Sequence, residues 1–129
     1  MALSPQCRDP LRLCPCIRSL YLALYAACHD EGINPVTVET LRQLDRQKYY
    51  VRIGVSWTLE SFHLPQPPNG QALAFDVCPK DYLREPLWRP RGEKWKQMRM
   101  VARELGLIVG APWPRDKGHM YIRKCRCVA

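Results

Sequence analysis

Three short segments that lie far apart in the chain carry the residue types of a hydrolytic zinc site. They are Ser61-Phe62-His63, Ala74-Phe75-Asp76 and Asp116-Lys117-Gly118-His119. Such a site needs three protein ligands drawn from His, Asp or Glu, an open fourth position for water, and a nearby carboxylate that accepts the water's proton. The two histidines and Asp76 are of the ligand types, and Asp116 is of the proton-acceptor type.

Each of these residues has an ordinary interpretation when it is taken singly. Asp76 is the least ordinary, because it lies within the apolar run Ala74–Val77, and a buried carboxylate must be paired or bound to a metal. His119 opens a predicted strand, whereas His29 lies on the predicted exposed side of a helix and is expected to be a surface or structural residue. Spacing alone leaves open both a zinc site and a set of unrelated side chains.

The elements that would position these residues form a mixed pattern of helices and strands. Apolar residues at three- and four-residue steps predict helices over 17–28 and 95–105, and 44–53 looks like a further short helix; a glycine follows each of the three. Short strands are predicted over 36–42, 72–77, 107–109 and 120–122, with a proline-rich loop at 64–70, a surface excursion at 81–92 and a turn at 111–114. Strands and helices do not alternate regularly, so we expect a small α+β domain.

Size and charge limit the classes of partner. The 129 residues fit one domain over 1–129, and the formal net charge is +8. This charge favours a polyanionic partner such as nucleic acid, anionic lipid or a bacterial wall with acidic polymers. The basic residues are scattered and form no block of like charges, so we expect no nucleic-acid-binding arm.

The cysteines indicate a reducing compartment, because seven thiols cannot all be paired within one chain. Two pairs, Cys14-Pro15-Cys16 and Cys125-Arg126-Cys127, have one residue between the thiols, which is closer than the usual zinc-knuckle spacing. A four-thiolate structural zinc that joins the two pairs is one interpretation. Ordinary buried or surface thiols are the simpler one.

No apolar run is long enough for a transmembrane helix, so we expect no stable membrane insertion. The apolar run Leu20–Cys28, with arginines before it, has the general shape of a secretory signal. Asp9 and several prolines interrupt the preceding segment, and the run also carries the first core helix. We therefore expect a protein that is made in the cytoplasm without a cleaved signal.

Read together, these motifs resemble the zinc D,D-carboxypeptidase and L-alanyl-D-glutamate endopeptidase family. That family includes vancomycin-resistance carboxypeptidases and many phage endolysins, and it shares its fold with the Hedgehog signalling domain. Its motif is Ser-x-His, then Gly-x-Ala-x-Asp, then an acidic residue three positions before a second His. The resemblance covers about residues 17–123. It also includes Glu39-Thr40-Leu41-Arg42, Arg46-Gln47, Tyr50, Gly54-Val55-Ser56, Leu105-Gly106-Leu107 and Trp113.

This resemblance implies an antiparallel sheet with packed helices and a Zn²⁺ ion held by His63, Asp76 and His119. It also implies that Asp116 is the general base and that Arg42 binds an oxyanion or a substrate carboxylate. Many members have a shorter segment between the first two ligands. Here that segment is proline-rich, and we expect it to bulge outward as a rigid loop while both ligands keep their places.

The implied function is a peptidase that acts on peptidoglycan stem peptides. The resemblance favours an L-alanyl-D-glutamate endopeptidase of the phage or prophage endolysin type, acting as a monomer on the cell wall once the membrane has been permeabilised. A D-Ala-D-Ala carboxypeptidase is the alternative within the same class. From another class, a non-catalytic basic zinc-binding module is the alternative.

Overall fold

A four-stranded antiparallel sheet in the order β1-β2-β4-β3 forms the centre of the computed structural model, which describes residues 3–54, 56, 58, 60–80, 92–110, 118–125 and 127. Within these residues the structure is α+β, as the sequence predicts. The helices are α1 (Pro15–Asp30), α2 (Leu44–Arg52) and α3 (Glu93–Glu104), and a short 3-10 helix covers Pro10–Arg12. The strands are β1 (Pro35–Glu39), β2 (Ala74–Pro79), β3 (Ile108–Val109) and β4 (His119–Tyr121).

The core lies between one face of this sheet and the helices α1 and α3. Phe75 and Val77 of β2 are fully buried in the apolar cluster that also contains Ile17 of α1 and Trp95 of α3. Successive residues of a strand point to opposite faces, so Asp76 points away from this core. The alternation within β2 therefore separates the residues that stabilise the fold from the carboxylate that is available for chemistry.

The three helices agree with the sequence prediction, but the predicted strand over 36–42 is too long. β1 ends at Glu39, after a register shift between Thr37 and Glu39. Beyond it the backbone takes other partners, since the amide of Thr40 donates to the carbonyl of Cys7 and the amide of Arg42 donates to the carbonyl of His63. Residues 81–91 of the predicted excursion at 81–92 lie outside the described residues. All four residues of the predicted turn at 111–114 also lie outside them.

The proline-rich segment between the first two sequence-predicted ligands forms a closed loop. Its neck is closed where the amide of Leu73 donates to the carbonyl of Phe62 at 2.8 Å. Gln66 stabilises its interior, because its amide donates to the carbonyl of Gln71 and its side chain donates to the carbonyls of Ser61 and Leu64. No helix in the described part of the chain is both long enough and apolar enough to cross a bilayer.

Candidate metal centre

His63, Asp76 and His119 meet at the face of the sheet opposite the core. Nε2 of His63 lies 3.0 Å from Oδ1 of Asp76 and 3.2 Å from Nδ1 of His119. Nδ1 of His119 lies 3.0 Å from the same carboxylate oxygen. The exposed fractions of the His63, Asp76 and His119 side chains are 1%, 14% and 12%. The three side chains that the sequence suggested as ligands thus form one compact group, and Asp76 and His119 retain some contact with solvent.

Strand register brings Asp76 and His119 together. The two residues are direct partners in the antiparallel pairing of β2 with β4, and direct partners place their side chains on the same face. Glu39 of β1 is the partner of Asp76 on its other side. Adjacent strands therefore supply two of the three side chains, and the third comes from the loop that follows α2.

His63 is held at its backbone and at its ring. Its carbonyl accepts from the amide of Arg42 at 2.8 Å, and its amide donates to Oγ of Ser61 at 3.1 Å. Its Nδ1 lies 2.6 Å from the carbonyl oxygen of Thr40. A carbonyl can only accept, so Nδ1 carries a proton, and Nε2 is the ring nitrogen that faces Asp76. Ligating histidines in metalloproteins are commonly oriented by a hydrogen bond of this kind.

The donor set fits a zinc ion. While His63 is neutral, Nε2 of His63 and Oδ1 of Asp76 are both acceptors, and at most one proton, on Nδ1 of His119, can lie among the three atoms. A cation at the centre would satisfy all three lone pairs. A tetrahedral zinc ion with ligand distances of about 2.0–2.1 Å separates ligand atoms by about 3.3–3.4 Å, close to the separations seen here.

The charge state of Asp76 suits a cation. Burial alone would raise the pKa of this carboxyl, but His63 and His119 hold its pKa well below its usual value. The carboxylate is therefore ionised at neutral pH, as a metal ligand must be.

A buried network of charged and polar side chains lies next to Asp76. The guanidinium of Arg42 donates through Nε and a terminal nitrogen to Oε1 of Glu39, and through its other terminal nitrogen to Oε1 of Gln47 at 2.7 Å. Its nitrogen nearest the site lies 3.9 Å from Oδ2 of Asp76. Arg42 also stacks over the ring of Tyr50, with 4.6 Å between the guanidinium carbon and the ring centroid. Positive charge thus faces the Asp76 oxygen that does not contact the histidines.

Gly118 allows the strand carrying His119 to approach its neighbours closely. A Cβ atom at this position would lie 2.5 Å from the carbonyl oxygen of Val77 and 3.4 Å from the ring of Trp95. The Gly118 carbonyl also accepts from the amide of Val77 at 3.0 Å. The absence of a side chain at Gly118 is therefore one condition for the position of His119 beside Asp76.

Two residues that the sequence singled out, Asp116 and Trp113, lie outside the described residues. Arg42 lies beyond the end of β1, and 9% of its surface is exposed. The sequence reasoning missed the carbonyl of Thr40, because every residue has a carbonyl and no side-chain pattern marks the one that orients a ring. It did include Glu39 and Gln47, but only as parts of a motif, without their contacts to Arg42.

The fold is similar to that of two solved peptidase structures. The L-Ala D-Glu endopeptidase ChiX of Serratia marcescens is similar to this chain, with a TM-score of 0.67 and 22% sequence identity, over 89% of this chain and 84% of ChiX. The LD-carboxypeptidase LdcB has a TM-score of 0.60 and 18% identity, over 94% of this chain and 64% of LdcB. No protein-family model and no curated protein matches the sequence. The similarity is therefore one of three-dimensional structure.

Proposed function

We propose that this protein is a zinc-dependent peptidase that cleaves peptidoglycan stem peptides between L-Ala and D-Glu. The observation that carries the proposal is the convergence of His63, Asp76 and His119, with 3.0–3.2 Å between their ligand atoms. This convergence occurs on a fold that peptidoglycan peptidases share. A metal triad alone would fit many hydrolases, and the fold alone would fit a non-catalytic module, so the two observations are needed together.

The three side chains would hold Zn²⁺ through Nε2 of His63, Oδ1 of Asp76 and Nδ1 of His119. When bound, zinc supplies Lewis acidity, polarising a substrate carbonyl and lowering the pKa of water in its open position to about 7. The protein's own contribution is to direct two ring nitrogens at the site, to keep the carboxylate ionised, and to position all three side chains by backbone contacts. Thr40 orients the ring of His63, and strand pairing aligns Asp76 with His119.

Proton transfer needs a further carboxylate, and we assign it to Asp116. Glu39 is a poor proton acceptor because it is buried and pairs with Arg42. Asp116 is the only acid in the sequence between β3 and β4, three residues before His119. In this role it takes one proton from the attacking water and gives it to the leaving amine as the peptide bond breaks.

Arg42 has two proposed roles. Its charge beside Oδ2 of Asp76 favours the ionised carboxylate and leaves Oδ1 for the metal. The same guanidinium would stabilise a developing oxyanion or bind a substrate carboxylate at the edge of the site. Glu39 and Gln47 hold the guanidinium in place, so it need not be reorganised during the reaction.

The setting that best suits this activity is a phage or prophage endolysin. We propose a monomer that is made in the cytoplasm and reaches the wall when the membrane is permeabilised. The net charge of +8 would attract it to the acidic polymers of the wall.

Digestion of purified wall sacculi, followed by mass spectrometry of the released fragments, tests the proposal. An endopeptidase with the proposed specificity exposes a new D-Glu amino terminus, whereas a carboxypeptidase releases a single carboxy-terminal amino acid. The similarity to LdcB makes the carboxypeptidase outcome the second candidate. A chelator should stop the reaction, and added zinc should restore it.

His63→Ala and His29→Ala form a matched pair for this assay. His29 is exposed on α1, so its loss should leave zinc content and cleavage unchanged. His63→Ala should abolish cleavage and remove the zinc ion bound at this site. Cleavage that continues after the zinc has been removed would overturn the metallopeptidase proposal, and intact sacculi together with a zinc-loaded, folded protein would favour the non-catalytic module.

A further inference from the structure

Four of the seven cysteines meet at the start of α1, outside the candidate metal centre. Cys14 and Cys16 flank the first helical residue, and Cys125 and Cys127 follow β4. The Sγ atom of Cys14 lies 3.3 Å from that of Cys125, 3.4 Å from that of Cys127 and 3.5 Å from that of Cys16. All four sulfur atoms lie within 4.8 Å of one another. Residues separated by more than a hundred positions in the sequence thus form a single cluster.

The spacing of these sulfur atoms fits a four-coordinate metal. Zinc–thiolate bonds are about 2.3 Å long, so a tetrahedral site separates its sulfur atoms by about 3.8 Å. The sulfur atoms around Cys14 are a few tenths of an ångström closer than that, and a small outward movement would accommodate the ion. Four protein ligands leave no open coordination position, which is the arrangement of structural zinc sites.

A helix start and two N–H donors are directed at the sulfur atoms of the cluster. Cys14 is the N-cap of the sixteen-residue helix α1 and Cys16 lies in its first turn, where the partial positive charge of the helix stabilises anionic sulfur. The side-chain amide of Asn69 donates to Sγ of Cys14 at 3.5 Å, and the amide of Cys127 donates to Sγ of Cys125 at 3.4 Å. N–H donors directed at sulfur are what a metal thiolate needs as outer contacts.

The other three cysteines are in surroundings that are ordinary for thiols. Cys28 and Cys78 are fully buried in the apolar core, as expected for cysteines that serve as small apolar residues. Cys7 lies near Thr40, whose hydroxyl donates to its sulfur at 3.4 Å. All seven cysteines are among the described residues, and each is a thiol. The four clustered thiols therefore differ from the others in their mutual contacts.

The charge of the neighbouring sequence also suits a metal bound by thiolates. The sequence Arg123-Lys124-Cys125-Arg126-Cys127 is basic, and this would offset the excess negative charge that four thiolates leave on a divalent metal.

We propose that Cys14, Cys16, Cys125 and Cys127 bind one Zn²⁺ as a closed structural site. This site fastens the segment after β4 to the start of α1. The site is also connected to the segment that precedes β2. The amide of Cys14 donates to the carbonyl of Ala72, and the amide of Ala72 donates to the carbonyl of Arg12. The segment that begins with His119 would thereby be anchored to the start of α1 through Cys125 and Cys127.

Metal analysis of purified protein, prepared under reducing conditions with zinc alone, tests this site independently of catalysis. The wild-type protein should hold two equivalents of zinc. Cys125→Ser/Cys127→Ser should hold one, His63→Ala should hold one, and the combined variant should hold none. Cys7→Ser is the matched control and should keep two. Wild-type protein with a single equivalent that disappears in His63→Ala would overturn the proposal.

Cobalt substitution distinguishes the two sites by spectrum. Thiolate-to-cobalt charge transfer gives intense near-ultraviolet absorption, which should survive in His63→Ala and disappear in the double cysteine variant. If the double cysteine variant fails to fold, thiol titration of the wild-type protein decides the question. Four thiols should become reactive only after zinc is removed under non-denaturing conditions. Equal thiol reactivity with and without a chelator, or a disulfide within the cluster in place of metal, would refute the site.

Discussion

The two side-chain clusters both take residues from the segment 118–127 but differ in the chemistry of their ligand atoms. The group of His63, Asp76 and His119 has three ligand atoms of nitrogen and oxygen, and solvent reaches two of its side chains. The cysteine cluster has four sulfur atoms, which would leave no coordination position free on a tetrahedral metal. The first arrangement suits chemistry on a bound substrate, and the second suits stability.

The supporting contacts follow the same division. Beside the first cluster lies a buried charged network in which Arg42 pairs with Glu39 and approaches Asp76. Beside the second cluster lie a helix start and N–H donors that are directed at sulfur. Residues 118–127 supply His119 to one cluster and two cysteines to the other. Metal at the second site would therefore restrict the strand that serves the first.

The largest expected effect separates the clusters by function. His119→Ala should abolish peptidase activity and remove one zinc equivalent, while the Cys125→Ser/Cys127→Ser variant should keep its turnover per folded, loaded molecule and unfold at lower temperature. Activity assays and thermal unfolding on the same samples check this. If the cysteine variant is folded and loaded at the first cluster but inactive, the division between the two clusters is wrong.

The next effect concerns chemistry without metal loss. Asp116→Ala should retain zinc and reduce turnover by about 10²–10⁴-fold, the usual contribution of a general acid–base group. Zinc analysis and initial rates on a soluble stem peptide measure the two properties separately. Near-normal turnover by the folded, zinc-loaded variant would remove Asp116 from the mechanism and leave the ligands in place.

The buried ion pair gives the third prediction. Arg42→Met removes the nearer cation of the buried Glu39, leaving the contact of its Oε2 with Nε of Arg46 at 3.6 Å, and should lower the free energy of unfolding by up to about 3–5 kcal/mol. The double variant Glu39→Gln/Arg42→Met should recover much of this stability. It should not recover activity, because positive charge near Asp76 is still missing. Urea unfolding and peptide hydrolysis follow the two quantities, and recovery of both would reduce Arg42 to a purely structural role.

Gly118→Ala should have a smaller effect that reaches the first cluster only. The added methyl group meets the carbonyl of Val77, so the backbone must shift, at a cost of about 1–3 kcal/mol. Zinc affinity at the first cluster should fall because His119 follows directly, while the cysteine cluster should keep its metal. Competition with a chromophoric chelator measures both affinities, and unchanged affinity at both sites would contradict the role given to Gly118.

The smallest expected effect comes from long-range charge, which belongs to neither cluster. Attraction of a protein of net charge +8 to anionic walls is screened over about 8 Å at physiological salt. Added salt should therefore slow the digestion of sacculi while hardly changing hydrolysis of a short soluble peptide. Equal salt sensitivity for both substrates would exclude charge attraction as part of substrate recognition.

Local periodicity was sufficient to predict α1 and α3, because both helices have an apolar face that is visible in the sequence. The prediction of α2 had a weaker basis, since the buried residue of that helix is the polar Gln47. It was not sufficient at the end of β1, where Thr40 and Arg42 take backbone partners from Cys7 and His63. Such long-range hydrogen bonds leave no periodic signal.

The candidate ligands could be suggested from residue type, since an aspartate within an apolar strand and a histidine at the start of another are unusual. Their mutual distances depend on the pairing of β2 with β4, and the orientation of His63 depends on a backbone carbonyl. The cysteine cluster had a weaker signal. Its two pairs depart from the usual zinc spacing, and the meeting of the chain's two end segments is a tertiary property.

The direct pairing of Asp76 with His119 has a consequence for folding fidelity. A slip of one residue between β2 and β4 would turn one of the two side chains to the other face of the sheet. A molecule paired in that way lacks the ligand pair, so zinc would bind the correctly aligned population and draw the equilibrium toward it. Zinc binding at this face would then indicate that β2 and β4 are paired in the correct register. Refolding with and without zinc would measure how strongly the ion favours this register over the shifted ones.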